Sequence, residues 1–286
     1  MITVWQDTKK TLNIRGRLIN LSSPVVMGIV NVTPDSFYAE SRISTFLNSS
    51  LVDKVGEMLA AGAGMIDVGG YSTRPGAAAV SEAEEIDRVV PAVEMLIKNF
   101  PDCIISVDTF RSKVLHEAVL AGAAIANDVS GGDLDPDMFE VVAKLHVPYI
   151  LMHMRGTPET MNALTDYTHL TADVIKDLQK KMAKLRELGV VDVIIDPGYG
   201  FAKTREQNFE LLRNLSEFRV LNCPLLVGIS RKRMIWETLN IQSDQALNGT
   251  TVLNTMSLLN GASILRVHDV KEAVEAVKLF NAYTTS

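Results

Sequence analysis

The sequence predicts a single-domain α/β protein with the (β/α)₈ architecture of a TIM barrel, and two observations carry this prediction. Eight short apolar runs of strand length alternate along the chain with segments whose apolar residues recur at helical spacing. No Pro-, Gly- or Ser-rich linker and no charge run divides the series. An open doubly wound sheet is the alternative, and it is disfavoured because no glycine fingerprint follows the first strand.

The predicted strands are aliphatic and β-branched runs that break off into polar or turn-forming residues. In chain order they cover residues 25–30, 65–68, 104–107, 123–126, 148–152, 191–195, 225–229 and 263–267. The first strand lies in the stretch VMGIVNVTPDSF (26–37), which turns polar at Asn31. In a parallel barrel such loops lie at the carboxyl ends of the strands, where ligands bind.

Segments with helical spacing separate these strands. The regular ones are 51–59, 89–97, 114–119 and 174–185, and the less regular ones are 136–145, 206–215, 245–260 and 270–283. Ser81, with Glu84 three residues later, predicts a capping box at the start of the second helix. Gly62, Gly122 and Gly189 follow three of the helices, as C-terminal caps do.

Residues 1–24 precede the periodic part and are predicted to be an extension that caps the barrel of residues 25–286. The extension carries a weak hairpin signal around Arg15-Gly16-Arg17. A hairpin there would close the amino end of the barrel, which is remote from the ligand-binding end. We therefore expect no catalytic residue in this segment.

Composition limits the kind of protein. With 47% hydrophobic and 22% charged residues, the chain can bury the core of a soluble globular protein. A formal net charge of −6 and a pI near 5.4 argue against nucleic-acid partners and acidic membrane surfaces.

The location of the protein can also be predicted from the sequence. No apolar run would span a bilayer and the N-terminus resembles no export signal, so we expect a cytoplasmic protein. Cys103 and Cys223 begin apolar runs, which is typical of buried free thiols.

Polar residues follow every predicted strand, and a barrel would bring them to one shared mouth. They are Asn31 and Asp35; Ser72, Thr73 and Arg74; Asp108; Asn127 and Asp128; His153 and Arg155; Asp196; Ser230, Arg231 and Lys232; and Arg266 and His268. A lone Asp or Asn after a strand is commonly a helix cap, and Asp128 fits that interpretation as well as a functional one. The set as a whole indicates a ligand site.

The acidic members suit a flat heterocycle. Asp108 and Asp196 each end a strongly apolar strand, where a carboxylate is costly unless it is hydrogen-bonded or paired. With Asn127 they would match amidine-like N–H donors, because a carboxylate accepts two bonds in a fork.

The cationic members suit an anionic leaving group such as a diphosphate. The same residues would also suit a hard divalent ion, since magnesium prefers one or two protein oxygens plus phosphate oxygens and water. The residues of this half are Arg74, Arg266, His268 and, as the oxygen ligand of the ion, Asn31. The metal prediction therefore depends on one side chain.

Other motifs fail on inspection. Residues 198–204 resemble the end of a P-loop, but Ala202 replaces the expected glycine and the spacing is short. No two of the five histidines have zinc-site spacing, and His116, His146 and His169 are expected at the surface. Lys232 suits anion or carboxylate binding as well as Schiff-base chemistry.

Seven motifs occur in order along the chain, namely NVTPDSF (31–37), STRPGA (72–77), SVDT (106–109), NDVSGG (127–132), DPGYGF (196–201), SRK (230–232) and RVHDV (266–270). With them the chain resembles the dihydropteroate synthases, the pterin-binding barrels of folate biosynthesis. The resemblance implies a transferase that joins 7,8-dihydropterin-6-ylmethyl diphosphate to 4-aminobenzoate, using Mg²⁺ and releasing diphosphate. It also implies a homodimer.

The resemblance assigns roles residue by residue. The pterin pocket would consist of Asp108, Asn127, Met152, Asp196 and Lys232. The magnesium ligand would be Asn31, and the diphosphate binders would be Thr73, Arg74, Arg266 and His268. The aminobenzoate site would contain Phe201, Ser230 and Lys232, with Pro75 from the second loop, and Val267 completes the substrate-binding set. The catalytic residues would be Asp108, Lys232, Arg266 and His268.

The chain departs from the family pattern at its loops. After NVTPDSF it reads YAESR (38–42) where Ser-Asp-Gly-Gly is usual, Tyr71 replaces a usual Glu, and Ala202 replaces a usual Gly. These changes concern the order and closure of the loops at 32–48 and 71–80, since the predicted contact residues remain.

Two other classes of protein stay open at this point. The pterin-binding domain of a corrinoid-dependent methyltransferase is a similar barrel that hands a methyl group to a partner, and a purely structural barrel is the third option. The NVTPDSF and STRPG loops favour the synthase.

Overall fold

The computed structural model describes residues 9–32, 44–71 and 80–285. These ranges contain the strands β1 (Thr11–Ile14), β2 (Arg17–Asn20), β3 (Val25–Asn31), β4 (Met65–Gly69), β5 (Ile105–Asp108), β6 (Ile125–Asp128), β7 (Tyr149–Met152), β8 (Val193–Asp196), β9 (Leu226–Val227) and β10 (Ile264–Val267). All eight predicted barrel strands are present, as β3 to β10. Asn31, Asp108 and Asp196 are the last residues of their strands, one position further than predicted.

Strands β3 to β10 form one parallel sheet in the order β8-β7-β6-β5-β4-β3-β10-β9. A bridge between Ile195 of β8 and Leu225, next to β9, joins the two edges of the sheet. The predicted (β/α)₈ barrel is confirmed. Strand β9 is shorter than predicted because the Ile229 carbonyl accepts a turn hydrogen bond from the Lys232 amide instead of continuing the ladder.

The described residues also contain the helices α1 (Ser44–Ala60), α2 (Glu82–Asn99), α3 (Ser112–Ala121), α4 (Met138–Leu145), α5 (Leu170–Glu187), α6 (Arg205–Arg213), α7 (Arg233–Leu239), α8 (Leu247–Leu259) and α9 (Val270–Thr285). All eight predicted helices are present. Helix α7 is additional, and both α7 and α8 lie between β9 and β10. At seven residues α7 is too short for its periodicity to stand out in the sequence.

The predicted helix signals have the expected physical basis. In the capping box, Ser81 Oγ accepts from the Glu84 amide at 3.3 Å and Glu84 Oε2 accepts from the Ser81 amide at 2.8 Å. The three C-terminal glycines have the positive φ angles that glycine adopts without strain, with values of 104° at Gly62, 121° at Gly122 and 82° at Gly189.

The amino-terminal hairpin covers one end of the barrel. Its turn residues Arg15 and Gly16 both have positive φ, 52° and 78°, as a two-residue hairpin turn of type I′ requires. Leu12, Ile14 and Leu21 are buried against inward-facing strand residues that we call the floor cluster: Met27, Met65, Ile125, Ile150, Ile194, Leu226 and Ile264. Burying one such aliphatic side chain stabilises the fold by about 1.5–3 kcal/mol.

The remaining sequence expectations concern cysteines and histidines. Cys103 is half-buried and Cys223 buried, both are free, and burial raises the pKa of each thiol to about 11. The three histidines expected at the surface, His116, His146 and His169, are exposed.

Across the described ranges, no helix combines the length and the apolar character needed to cross a membrane.

Candidate active site

The carboxyl ends of the strands bring predicted site residues next to one another. The parallel register sets Asn31 beside Gly69 and Gly69 beside Asp108. Asn127 lies next in line, beside Asp108. A Cβ on Gly69 would lie 3.5 Å from the Asp108 Cβ and 3.7 Å from the Asn31 Oδ1. The glycine therefore leaves open the space between these two side chains.

A half-buried arginine joins two carboxylates at this mouth. Arg266 Nε donates to Asp67 Oδ2 at 2.6 Å, and Arg266 Nη2 donates to Asp108 Oδ2 at 2.5 Å. Asn127 Nδ2 donates to the same Asp67 oxygen at 2.9 Å. Within the described part of the chain, the buried Asp67 Oδ1 has no hydrogen-bond partner. Because buried polar atoms are normally paired, this oxygen is a candidate acceptor for a ligand N–H group.

The electrostatics of this group are set by burial and by opposite charges. Burial raises the pKa of Asp108 to about 7, with Arg266 opposing the shift and Asp67 adding to it. Burial also works against the charge of Arg266, but Asp67 and Asp108 more than offset it and hold the arginine pKa above its ordinary value. A fixed cation therefore lies between the two carboxylates.

A second acid and base face each other across the mouth. Asp196 lies beside Met152, and its Oδ1 accepts from the Gly198 amide at 2.8 Å. Burial raises the pKa of Asp196, and Lys232 opposes this shift. Burial lowers the pKa of Lys232 to about 8, and Asp196 opposes that shift in turn. Each group thus favours the charged form of the other.

The Lys232 side chain also reaches the loop after β8. Its ammonium group donates to the Tyr199 carbonyl and lies 4.8 Å from the centroid of the Phe201 ring. This is a cation–π distance. Lys232 therefore connects the carboxylate Asp196 with the aromatic side of the mouth.

Ser230 and His268 lie together after β9 and β10. Ser230 Oγ is 3.0 Å from His268 Nδ1 and accepts from the His268 amide at 3.1 Å. Next to them, Arg231 Nε and Nη2 donate to the two carboxylate oxygens of Asp269 at 2.9 and 2.8 Å. This bidentate pair fixes the two loops relative to each other, so Arg231 is occupied by a structural contact.

The apolar side of the mouth is built by a small buried cluster. Met152 packs with Val129, Met154, Met161 and Ala202, and Phe201 packs against the same cluster. Such a wall with a few convergent polar groups is typical of small-molecule sites. The Val267 side chain is fully buried in the main core, so only its backbone is available to a substrate.

The Asp128 carboxylate is occupied by hydrogen bonds that fix the loop after β6. Its carboxylate accepts from the Ser130 amide and hydroxyl, from the Gly132 amide and from the Tyr149 hydroxyl, each at 2.7 Å. Asp128 therefore has a structural role and not a ligand-binding one, although it caps a loop and not a helix.

Two further strand-end residues also serve the surrounding structure. His153 is 1% exposed, and its Nδ1 is 3.1 Å from Lys203 Nζ. The guanidinium of Arg155 stacks over the Tyr167 ring at 3.7 Å and donates to the Asp166 carbonyl.

The predicted metal ligand lies at the rim of the mouth. Asn31 is exposed at the end of β3 and offers one neutral amide oxygen. Residues 9–32, 44–71 and 80–285 contain no cluster of three His, Cys, Asp or Glu that would hold a metal ion. A single protein oxygen does not make a zinc site, but it fits Mg²⁺ that takes its other ligands from phosphate and water.

Several predicted residues lie outside the described residues: Asp35, Ser72, Thr73, Arg74 and Pro75. Of the cationic half, the described ranges include Arg266 and His268. Arg266 is bonded to carboxylates, so the two halves predicted from the sequence meet at this side chain.

The family departures at Tyr71 and Ala202 have visible consequences. The Tyr71 ring meets the Phe110 ring edge-on at 5.2 Å and lies 5.5 Å from the Arg111 guanidinium. Ala202 has a φ of 50°, in the left-handed region that favours glycine. That conformation explains why glycine is usual at this position.

Sequence reasoning missed Asp67. The polar residues predicted for the site lie at or after strand ends, whereas Asp67 lies two residues before the end of β4. The signal was present, because an acid inside the apolar run MIDVG has the same burial cost that drew attention to Asp108.

Comparisons with known proteins identify the family of this chain. The family model described as "Pterin binding enzyme" matches residues 27–268. The dihydropteroate synthase of Escherichia coli strain K12 is 42% identical over 273 residues, which is 94% of each chain. The crystal structure of the Yersinia pestis dihydropteroate synthase with a sulfonamide drug is 42% identical, covers 96% of this chain and 100% of that one, and has a TM-score of 0.89.

The Xanthomonas albilineans dihydropteroate synthase, solved with 4-aminobenzoic acid, is 36% identical, with a TM-score of 0.88 over 98% of this chain and 100% of that one. These relatives match nearly the whole chain, including all of its barrel strands. The chain therefore belongs to the pterin-binding enzyme family and, within it, to the dihydropteroate synthases, which are transferases.

Proposed function

We propose that the barrel mouth joins 7,8-dihydropterin-6-ylmethyl diphosphate to 4-aminobenzoate, giving 7,8-dihydropteroate and diphosphate. One observation supports this assignment most. A desolvated pair of carboxylates, with a free acceptor on Asp67, holds the cation of Arg266 at the ligand-binding end of the barrel. That arrangement accepts N–H groups of a flat heterocycle and tolerates positive charge on it.

In this proposal the pterin lies in the acidic part of the mouth. Asp67, Asp108 and Asp196 accept its N–H groups, while Asn127 donates or accepts beside them. Met152 provides the apolar surface for the ring. Lys232 orients both reactants, because it lies between Asp196 and the Phe201 ring, where the aminobenzoate binds beside Ser230.

The diphosphate leaves toward the cationic rim. Arg266 and His268, with Thr73 and Arg74 from the second loop, bind it, and Asn31 would hold a Mg²⁺ ion there. When bound, that ion would neutralise charge on the leaving group. Arg266 is suited to this task because its charge is held firmly by its neighbours.

The reacting carbon is attached to an electron-rich reduced pterin, so we propose that the bond to diphosphate breaks before the weakly nucleophilic amine attacks. The protein then stabilises charge and needs no strong general base. Diphosphate release without aminobenzoate, measured by a coupled assay, is the expected result. Release that requires aminobenzoate and rises with the basicity of substituted amines would instead indicate direct displacement.

The same assay tests the activity itself. The protein should turn over alone with both substrates, whereas a corrinoid-dependent methyltransferase domain would need a corrinoid partner. Asp196→Ala should weaken pterin binding by several kcal/mol, as expected when a charge-assisted pair is broken. Wild-type pterin affinity in this variant would refute the pocket assignment.

We also propose that the protein works as a cytoplasmic homodimer. Helix α8 exposes Val252, Met256 and Leu259 at helical spacing on one face, and α9 beside it exposes Leu279. Large apolar side chains on adjacent helices suit a self-complementary interface. Light scattering of the wild type and of Met256→Glu would test this, with a dimer and a monomer expected.

A further inference from the structure

A buried lysine that the proposed reaction does not use holds the loop carrying Phe201. Lys203 is 8% exposed and lies in the β8–α6 loop, which comprises residues 197–204. Its Nζ donates to the carbonyls of Gly198 and Phe201, both at 3.0 Å, and lies 3.1 Å from His153 Nδ1. A lysine with three close polar partners is fixed in place, in contrast to an exposed lysine.

The two carbonyls belong to the ends of one turn. The Phe201 amide donates to the Gly198 carbonyl at 3.2 Å, and Gly198 has a φ of 75°. A Cβ on Gly198 would lie only 2.0 Å from the His153 carbonyl oxygen, so this turn lies directly against the end of β7. Lys203 therefore ties both ends of the turn to the barrel.

His153 provides a rigid anchor for Lys203. It is almost completely buried, and its amide donates to the Asp196 carbonyl at 3.1 Å. Burial, with Lys203 as the next contribution, lowers the pKa of His153 to about 2, so the imidazole is neutral. The ring is thus available as a hydrogen-bond partner without adding a charge.

The contacts of Lys203 survive a change in its protonation. Burial lowers the pKa of Lys203 to about 7, with Asp196 opposing the shift. An ammonium group has three N–H donors for the two carbonyls and the imidazole. An amine keeps two donors for the carbonyls and accepts from His153 Nδ1–H. Both the ammonium and the amine form of Lys203 therefore hold the turn. This position requires a long side chain with N–H donors and does not require a positive charge.

We propose that Lys203 is a positioning residue for the aminobenzoate subsite, acting through the turn 198–201 to fix the Phe201 ring without touching either substrate. The proposal rests on the proposed function, in which Phe201 contacts aminobenzoate. Strand β8 fixes the Asp196 backbone, and the turn adds only the Gly198 amide as a donor to its carboxylate, so the pterin side should change less than the Phe201 ring.

The test uses Lys203→Met, which keeps an unbranched side chain as far as the ε position but has no donor. The KM for 4-aminobenzoate should rise about tenfold, as expected for the loss of one or two hydrogen bonds, while the KM for the pterin diphosphate stays near the wild-type value. In a Phe201→Ala background the same change should have little further effect, because the ring through which it acts is gone. Should Lys203→Met fail to fold, Lys203→Gln, which keeps two N–H donors on a side chain one atom shorter, should show a smaller but still selective rise in the aminobenzoate KM.

Lys181→Met is the matched control. Lys181 is also a buried lysine, but its ion-pair partners, Asp133 and Asp177, are not residues of the β8–α6 loop. It should lose stability without a selective change in the aminobenzoate KM. Equal changes in both KM values for Lys203→Met, or additivity with Phe201→Ala, would overturn the proposal.

Amide hydrogen exchange gives a readout that does not need turnover. Residues 198–202 should exchange faster in Lys203→Met than in Lys181→Met. A wild-type protein that makes no dihydropteroate would count against the proposed function, and unchanged exchange in Lys203→Met would count against the positioning role.

Discussion

The floor and the mouth of the barrel are built by the same strands but have opposite chemistry. Five strands place one residue in the floor cluster and, two positions later, one residue in the mouth: Met65 and Asp67, Ile125 and Asn127, Ile150 and Met152, Ile194 and Asp196, and Ile264 and Arg266. Residues two apart on a strand face the same side, about 7 Å from each other. On each of these strands, the residue that stabilises the core and the residue in the candidate site are therefore only two positions apart.

The difference shows where each end gains or loses free energy. The floor cluster removes aliphatic surface from water, which stabilises the fold. The mouth contains buried charges whose desolvation is only partly offset by their partners. Substitutions at matched positions of one strand should separate the two contributions.

The largest effect is expected for Arg266→Ala. Removing the cation that we propose faces the leaving group should lower kcat about 10²–10³-fold, as for the loss of one preorganised electrostatic contact. The measurement is kcat at saturating substrates on protein whose folded fraction is known from circular dichroism. Arg17→Ala, at an exposed arginine of the hairpin, is the control and should keep wild-type turnover. A normal kcat in Arg266→Ala would remove this residue from the mechanism.

The matching change at the floor is Ile264→Ala on the same strand. The cavity it leaves should cost about 2–5 kcal/mol of unfolding free energy, measured by urea denaturation. Turnover of the folded protein should remain at the wild-type level, because the reacting groups lie above this layer. A loss of kcat without a loss of stability would break the separation between floor and mouth.

The pH dependence of kcat/KM should report the mouth alone. Because the pKa of Asp108 is raised to about 7, protonation below that pH removes a charged acceptor and kcat/KM should fall. Because the pKa of Lys232 is lowered to about 8, kcat/KM should also fall above that pH as the lysine loses its proton. Asp108→Asn should lose the acid limb, whereas Ile264→Ala should keep both limbs.

The smallest effect is expected for Ala202→Gly in the wall of the mouth. Glycine would relieve about 1–2 kcal/mol of left-handed strain. It would also cost about 0.5–1 kcal/mol of chain entropy and about 0.8 kcal/mol for the lost buried methyl group. The net change in unfolding free energy should stay within about 1 kcal/mol in urea denaturation. An increase in unfolding free energy clearly above about 1 kcal/mol would mean that the relieved strain exceeds the combined cost of chain entropy and the lost methyl group.

The fold was predictable because the signals of β3 to β8 and β10 are local. Apolar runs, glycine caps and the Ser81 capping box each act within a few residues. Strand β9 was predicted too long, because its end depends on the turn that Lys232 makes after it. Helix α7 was missed for its short length.

The candidate site was predictable only in part. Acids at the ends of apolar strands stand out in the sequence because burying a carboxylate is costly. The roles of most other predicted site residues came from the family motifs. The pairing of Arg266 with Asp67 was not predictable, because it depends on the register of strands that are 199 residues apart in sequence. The role of Lys203 depends in the same way on carbonyls that any loop sequence possesses.

The shortness of β9 has a consequence for the motion of the barrel. Only two residues of β9 pair with β10, and one isolated bridge joins its other side to β8. Few hydrogen bonds close the ring between β8 and β9, so local opening should require the least free energy there. Asp196 ends β8 and Lys232 follows β9. A pterin bound by both residues would therefore link these two strands. Local opening between β8 and β9 should therefore be rarer in the loaded protein, and amides of β9 should exchange more slowly with the pterin bound.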